Sequence, residues 1–412
     1  MAAPDEGGSL RQEGKQFRYM PGEFMMKGIL RKSLLSLALL AGFSAAHAQS
    51  TVTLYGVIDE SLQFTHNATP TGSNQVGLYS GNLSGSRWGL TGSEDLGGGL
   101  KAIFQLENGF NVNNGKMGTY NGTTSLFGRQ AYVGLQSAQY GTLTLGRQYD
   151  PLVDQIQGLT EDNYFGSTFA TAGDVDNYDN SSRTNNAIKY LSPSYGGLQV
   201  ETMYALGGVA GQTGSGQTWA VAASYNNGPF SLAAGYYVAD NSNATAARTG
   251  WSSTSDGTFD GPVNSGYATA KSINIARVAA RYIAGPYTLG LAYSNSAYKA
   301  DAESAFASTE KFNTGQAYVN YQAAPALLLG LGYSYTHANG DASASYHQVS
   351  LGADYSLSKR TDVYLVGAWQ KATGTQLNAD GTVSGAEASI GSYGVAGTDS
   401  QEMVSLGIRH RF

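Results

Sequence analysis

Large apolar residues alternate with small or polar ones along most of the chain after residue 50, in blocks of about ten residues. In the clearest block, one face carries the large residues Leu327, Leu329, Leu331, Tyr333 and Tyr335. The other face carries Leu328, Gly330, Gly332, Ser334 and Thr336. A period of two residues indicates a β-strand, because successive side chains of a strand point to opposite faces. The chain is therefore predicted to be all-β.

The alternating blocks predict about sixteen strands. They start near residues 51, 86, 99, 127, 141, 185, 198, 217, 230, 273, 287, 312, 327, 346, 361 and 400. Short links are predicted to be turns at one end of the strands, at 97–99, 138–141, 226–229 and 358–360. Long polar links are predicted to be loops at the other end, at 66–85, 112–126, 150–184, 240–271, 299–311 and 373–398. Short and long links alternate, as in one up-and-down barrel with periplasmic turns and extracellular loops.

Alternation alone does not distinguish a membrane barrel from a soluble β-sandwich. Two details favour the membrane. The apolar faces often end in tyrosine, which is typical of strands that cross a lipid interface, as at Tyr225, Tyr293, Tyr321 and Tyr335. The opposite faces are small or polar, which suits a water-filled lumen. Because lipid offers no hydrogen bonds, such strands must close on themselves, and we predict a sixteen-stranded antiparallel transmembrane β-barrel.

The composition agrees with this class of protein. The chain has 55 Gly, 28 Tyr and no Cys, with 13% charged residues and a mean hydropathy of -0.25. Glycine suits tight turns and tyrosine suits the membrane interface, whereas the polar average excludes a bundle of membrane helices. The absence of Cys excludes a disulfide framework. The formal net charge of -6 gives no electrostatic basis for binding nucleic acid.

The N-terminal region has the three parts of a secretory signal peptide. A basic stretch, an apolar core and a small-residue cleavage site at 46–48 follow one another. A membrane anchor is the weaker interpretation, because the apolar run is too short to span a bilayer. We predict a cleaved signal peptide at 25–48 and a mature barrel at 49–412. Residues 1–24 are interpreted as an over-called start or an added extension.

The loop predicted at 150–184 is the longest internal link. It mixes acids with aromatic residues, and structureless loops of this length inside a compact fold are usually functional. The aromatic residues could hold the loop against the inner wall while the carboxylates face water. The simpler interpretation is an external loop with solvated charges.

Several strand positions predict charged side chains inside the barrel. Trp88 and Leu90 take the lipid face, so Arg87 points inward, and Glu107 is also opposite an apolar face. Arg129 and Arg147 are also predicted to point inward, because an arginine on the lipid face of a barrel destabilises it by about 2–4 kcal/mol at mid-membrane depth. Arginines on the wall that face acids on an infolded loop would create a transverse field across the bore. Otherwise each arginine is an interfacial anchor or a salt bridge without a transport role.

Several motifs resemble those of the general porins of Gram-negative bacteria, most strongly the β-proteobacterial porins. They lie at 51–59, 87–97, 128–135, 141–147, 183–193 and 409–412. The resemblance implies a sixteen-stranded homotrimer in which each protomer is a separate pore with its third extracellular loop folded inside. It also implies that Phe412 is the terminal aromatic signal read by the outer-membrane assembly machinery.

The resemblance also implies which residues form the pore constriction. Arg87, Arg129 and Arg183 fall at the family's basic cluster, Glu107 falls at the acid of its third strand, and Arg147 lines the wall nearby.

The loop itself matches less well. Enteric members carry Pro-Glu-Phe-Gly-Gly, and residues 163–167 of this chain retain only Phe165 and Gly166. Glu161 and Asp162 are therefore our predicted substitutes for the acid of the loop.

We expect a general porin that passes small hydrophilic solutes and ions, in contact with outer-membrane lipid and lipopolysaccharide, with a weak preference for anions. The alternatives on the same barrel are a substrate-specific channel and a surface adhesin. An enzyme is not expected, because no nucleophile motif lies near the four histidines of the mature chain. No motif indicates a cofactor, a metal or a nucleotide.

Overall fold

A computed structural model describes residues 50–412 except 121–122, 242–247, 260 and 395–396. The interpretations of residues 1–24 and 25–48 concern segments outside these described residues. No helix among the described residues is long and apolar enough to cross a membrane.

The described residues form twenty strands, of which sixteen build the wall of a closed antiparallel barrel. The strands of the first half are β1 (Thr51–His66), β2 (Gln75–Ser80), β3 (Arg87–Gly97), β4 (Leu100–Gly109), β5 (Thr119–Tyr120), β6 (Thr123–Thr124), β7 (Gln130–Ser137), β8 (Gly141–Gln148), β9 (Thr184–Leu191) and β10 (Leu198–Ala205). Those of the second half are β11 (Thr218–Asn227), β12 (Phe230–Asp240), β13 (Ser272–Ala284), β14 (Tyr287–Lys299), β15 (Glu310–Ala324), β16 (Leu327–Asn339), β17 (Ser343–Ser356), β18 (Thr361–Leu377), β19 (Val383–Gly385) and β20 (Ser400–Arg411). Strands β2, β5, β6 and β19 lie in the loops.

The barrel closes where its first and last strands meet. The upper part of β1 pairs with β20, with Ile58 opposite His410 and Leu62 opposite Leu406. The lower part of β1 pairs with β3, and β2 continues that pairing above it. The sheet therefore leaves no open edge, as lipid requires.

The predicted architecture is confirmed, with differences in the loops. Part of the link predicted at 66–85 is strand β2, which pairs with β1. Two further links, 206–217 and 340–342, lie at the end that carries the long loops but were not predicted as loops. The second link has only three residues, so its length resembles that of a turn at the opposite end.

The outward face carries the large apolar residues, which remain exposed in the isolated barrel. Leu351 and Leu406 are each 59% exposed. Aromatic rings mark the level of the short turns, where Tyr287 and Tyr321 stack with 4.9 Å between their ring centroids. An apolar band flanked by aromatic residues is typical of a lipid-facing barrel surface.

The inward face is only partly in contact with water. Inward alanines of β11 and β12, among them Ala222 and Ala233, are buried under the loop that follows β8. A helix of that loop, Pro151–Ile156, packs on these strands with Leu152 and Ile156. Small wall residues thus make room for the loop as well as for water.

Candidate pore constriction

The third long link, 149–183, folds into the barrel, as predicted. Its first helix begins at Asp150, whose Oδ1 accepts a hydrogen bond of 2.8 Å from the Leu152 backbone N–H. An N-cap acid followed by Pro151 at the first helical position is a strong helix start. The helix therefore begins where β8 ends, and its apolar side faces the wall.

Phe165 and Gly166 attach the middle of the loop to the far side of the barrel, where Phe165 packs against strands β16 and β17. Phe165 is fully buried in gaps left by glycines, where a Cβ atom on Gly330 or Gly352 would lie 2.1 or 2.4 Å from its ring. Gly166 has a φ of 66°, and a Cβ there would lie 2.1 Å from the backbone oxygen of Asn82. The two residues retained from the family motif are therefore an anchor and a turn.

Wall side chains also donate hydrogen bonds to the backbone of the loop. The Tyr318 hydroxyl donates to Leu159 O at 2.8 Å, and the Gln348 amide donates to Ala170 O at 3.1 Å. These contacts satisfy carbonyl groups that leave water when the loop enters the barrel. The loop is consequently held by its main chain as well as by its rings.

Glu107 is the centre of the charged cluster on the wall. Its Oε1 lies 2.8 Å from Arg129 Nε, and its Oε2 lies 3.5 Å from Arg87 Nε. The hydroxyls of Tyr149 and Tyr55 each donate to this carboxylate at 2.8 Å. One acid is thus shared by two arginines, of which Arg87 is the more exposed, at 27% against 13%.

Arg183 and Arg147 lie beside this cluster, and Arg183 is buried. The Arg183 guanidinium carbon lies 5.3 Å from the ring centroid of Tyr149 and 5.4 Å from that of Tyr120. Arg147 forms an ion pair with Asp256 of the loop after β12, and its Nη1 donates to Asn185 Oδ1 at 2.6 Å. Arg147 therefore joins the loop after β12 to strands β8 and β9 of the wall.

The carboxyl groups of the loop that face the arginines are largely desolvated. Burial raises the pKa of Asp162 to about 7, although Thr160 and Gln157 donate hydrogen bonds to it. Burial also raises the pKa of Asp179, which accepts a hydrogen bond from Ser392. Both side chains line the cavity of the constriction.

The structure places Glu161 away from the arginine cluster. Its side chain packs behind the loop against Gly332, and among the described residues its two carboxylate oxygens have no hydrogen-bond partner. Burial, followed by the charge of Asp162, raises the pKa of Glu161 to about 9. Of the two predicted loop acids, only Asp162 reaches the cavity.

Two water-accessible cavities meet at the constriction. One, of about 400 Å³, is lined by Arg87, Arg129 and the loop acids. The other, of about 470 Å³, shares Tyr149 and Asp154 with the first. Water-accessible space therefore remains between the wall arginines and the loop.

Sequence reasoning missed several groups in and around this narrow region. Lys189 forms ion pairs with Asp154 and, at 3.2 Å, with Glu201 in the second cavity. Lys189 lies between the outward-facing residues Ile188 and Tyr190, so the alternation that identified Arg87 could also have found it. Asp256 carries no such signal, because only the tertiary fold brings its loop to the wall.

Phe412 lies at the closure of the barrel rather than in the bore. Its backbone exchanges hydrogen bonds of 3.1 and 3.0 Å with Gly56. A Cβ atom on Gly56 would lie 2.3 Å from the Phe412 ring, so the ring covers this glycine on the outer face. No group of three or more His, Cys, Asp or Glu side chains within the described ranges could hold a metal ion.

A closed transmembrane barrel with a loop folded into a water-accessible bore defines an outer-membrane channel. The chain belongs to the Gram-negative porin family, because residues 35–375 match the sequence pattern of that family. Membership in this family places the protein in the outer membrane of a Gram-negative bacterium.

The similar proteins are porins. Outer membrane porin protein 32 of Delftia acidovorans is 32% identical over 399 residues, which cover 93% of this chain and 100% of that protein. An outer membrane porin protein of Bordetella pertussis is 40% identical over 191 residues, covering 43% of this chain and 48% of that protein. The anion-selective porin from Comamonas acidovorans has a TM-score of 0.67 at 24% identity, covering 88% of this chain and 100% of that one. The last comparison supports the fold alone.

Proposed function

We propose that this porin is a general diffusion channel for small hydrophilic solutes, with a preference for anions. The observation that carries the proposal is the narrowing of the bore between Arg87 and Arg129 on one side and the infolded loop on the other. A transverse field there orders water, and a polar solute can replace the lost water contacts better than an apolar solute can.

The anion preference rests on the ionisation of the groups that face each other. Arginine remains charged in proteins, and Arg87 is the most exposed member of its cluster with Arg129 and Glu107. Across the bore, burial raises the pKa of Asp162 to about 7, so its negative charge is reduced near neutral pH, and burial also raises the pKa of Asp179. The cationic wall therefore dominates the local potential.

We also propose a homotrimer of separate pores. The support comes from the resemblance of the sequence motifs to general porins and from a structural neighbour, the OmpT protein of Vibrio cholerae, which is described in a trimer form.

Single-channel recording in a planar bilayer under a KCl gradient tests the function. We expect stable conductance steps and a reversal potential of the sign that marks anion preference. Arg87→Ala should move the reversal potential toward cation preference, because it removes the most exposed cation of the cluster. Arg360→Ala, an exposed arginine of a periplasmic turn, is the matched control and should leave it unchanged. A folded barrel without conductance would refute the diffusion channel, and an unchanged potential in Arg87→Ala would remove that residue from the constriction.

A further inference from the structure

A groove runs along the outer face of β13–β16. It has a volume of about 460 Å³ and an almost entirely apolar lining. Small residues, Gly315 and Ala317, form its floor, and the rings of Tyr293 and Tyr333 rise on either side. The groove lies outside the barrel, on the face that carries the exposed apolar residues, so its natural contents are hydrocarbon.

A row of polar side chains crosses the strands directly above the groove. Asn295 pairs in register with Asn313, which pairs with His337 on the next strand. The Tyr293 hydroxyl and the Asn295 amide both donate to Asn313 Oδ1 at 2.9 Å. His337 in turn is 3.0 Å from the Ser345 hydroxyl. Such a row offers hydrogen bonds at the level where a membrane changes from hydrocarbon to polar groups.

Two lysines lie above the polar row. Lys311 is opposite Ala297, and Lys299 is two residues further along the same strand as Ala297. They are therefore diagonal neighbours on the outer face, roughly 7–8 Å apart at the backbone. Neither forms an ion pair with another described residue, whereas Lys371, further round the rim, pairs with Asp399 at 2.5 Å.

Two acids of the adjoining loops, Asp301 and Asp341, are engaged elsewhere. Asp301 forms an ion pair with Arg248, and Asp341 accepts hydrogen bonds from backbone N–H groups, among them that of Ser308 at 2.7 Å. The two lysines thus present positive charge above an apolar groove without an ion pair to any described residue.

We propose that this face binds one phosphate-bearing, acylated lipid of the outer leaflet. An acyl chain occupies the groove floored by Gly315 and Ala317, the amide row meets the polar linkage groups, and Lys299 and Lys311 hold the phosphate. The order of surfaces from mid-membrane outward is apolar, hydrogen-bonding and cationic, which is the order of groups along such a lipid. The inference rests on the outer-membrane location and is independent of the proposed solute preference.

Native mass spectrometry of the delipidated porin in non-ionic detergent tests this site. The probes are bis-phosphorylated lipid A and its dephosphorylated form. Lys299→Ala/Lys311→Ala should weaken binding of the phosphorylated probe about 30-fold, since each lysine near a lipid phosphate contributes about 1 kcal/mol. Binding of the dephosphorylated probe should change less than twofold.

A second variant tests the groove without touching the lysines. Ala317→Phe fills the floor and should weaken binding of both probes at least tenfold. Ala353→Phe, at an outward position of β17 outside the groove, is its matched control. Lys371→Ala is the control for the lysines. Each variant is first shown to be folded by its heat-modifiable shift on a gel, which does not depend on conductance.

Three outcomes would overturn the proposal. The first is binding of the phosphorylated probe within twofold of the unmodified protein in the double lysine variant. The second is an equal loss in Lys371→Ala, which would indicate general charge attraction. The third is unchanged binding in Ala317→Phe. A barrel that binds the probe but does not conduct would refute the proposed channel function and leave the lipid site standing.

Discussion

Removing the Phe165 ring should loosen the loop that narrows the bore. The ring is fully buried and stacks on Phe169 with 5.0 Å between their centroids. Truncating a buried phenylalanine to alanine costs about 3–5 kcal/mol. At about 1.4 kcal/mol per factor of ten, Phe165→Ala should raise the population of undocked loop by roughly two to three and a half orders of magnitude.

The loop retains other attachments in this variant, including the hydrogen bond from Tyr318 to Leu159. We therefore expect a fluctuating constriction and an intact barrel. Single-channel recordings should show larger open-channel current noise, and proteoliposome swelling should admit larger sugars than in the unmodified protein. Gly352→Val keeps Phe165 but fills the space that its ring occupies, so it should produce the same two changes.

Phe64→Ala is the matched control, because Phe64 is 41% exposed on the outer face and distant from the loop. It should alter neither noise nor sugar size limit. If Phe165→Ala kept the noise and size limit of the unmodified porin, the ring would not be an anchor. If Phe165→Ala and Phe64→Ala changed them equally, the effect would be general to barrel stability.

Glu161 should make docking of the loop depend on pH. Its pKa rises from the ordinary 4.5 to about 9 in the docked loop, so the docked loop keeps this carboxyl group protonated. The free energy of docking should therefore become less favourable by about 1.4 kcal/mol per pH unit as pH rises between these two values. Open-channel noise should therefore grow between pH 7 and pH 9, above the raised pKa of Asp162, and Glu161→Gln should lose most of this part of the dependence. The same slope in that pH range in Glu161→Gln would refute the assignment. Gly56→Val should slow refolding measured by the heat-modifiable gel shift, because it displaces the Phe412 ring, and a normal rate would exclude this contact from closure. Arg147→Ala should speed proteolysis of the loop after β12, because it leaves Asp256 buried without its ion-pair partner at a cost of about 3–5 kcal/mol. The double variant Arg147→Ala/Asp256→Ala should recover most of the lost protease resistance, and no recovery would indicate a role of Arg147 beyond this pair.

The alternation of residue types in the sequence was enough to determine the strands of the barrel. A period of two assigns each side chain to lipid or lumen without knowledge of its neighbours, because it is a local property of extended backbone. The inward direction of Arg87 follows from this rule, and that of Lys189 would have followed from it as well. The family motif likewise located Phe165 and Gly166, although not what they contact.

Only the tertiary structure decided which groups meet across the bore. Glu161 and Asp162 are adjacent in the sequence, yet one packs behind the loop and the other lines the cavity. Their different positions depend on the packing of Phe165 against glycines of β16 and β17, which are distant from the loop in the sequence. The pairing of Asp256 with Arg147 is equally non-local. Residue spacing determines which face of its strand a side chain occupies. Desolvation of that side chain and its ion pairs depend instead on which other groups contact it in the closed barrel.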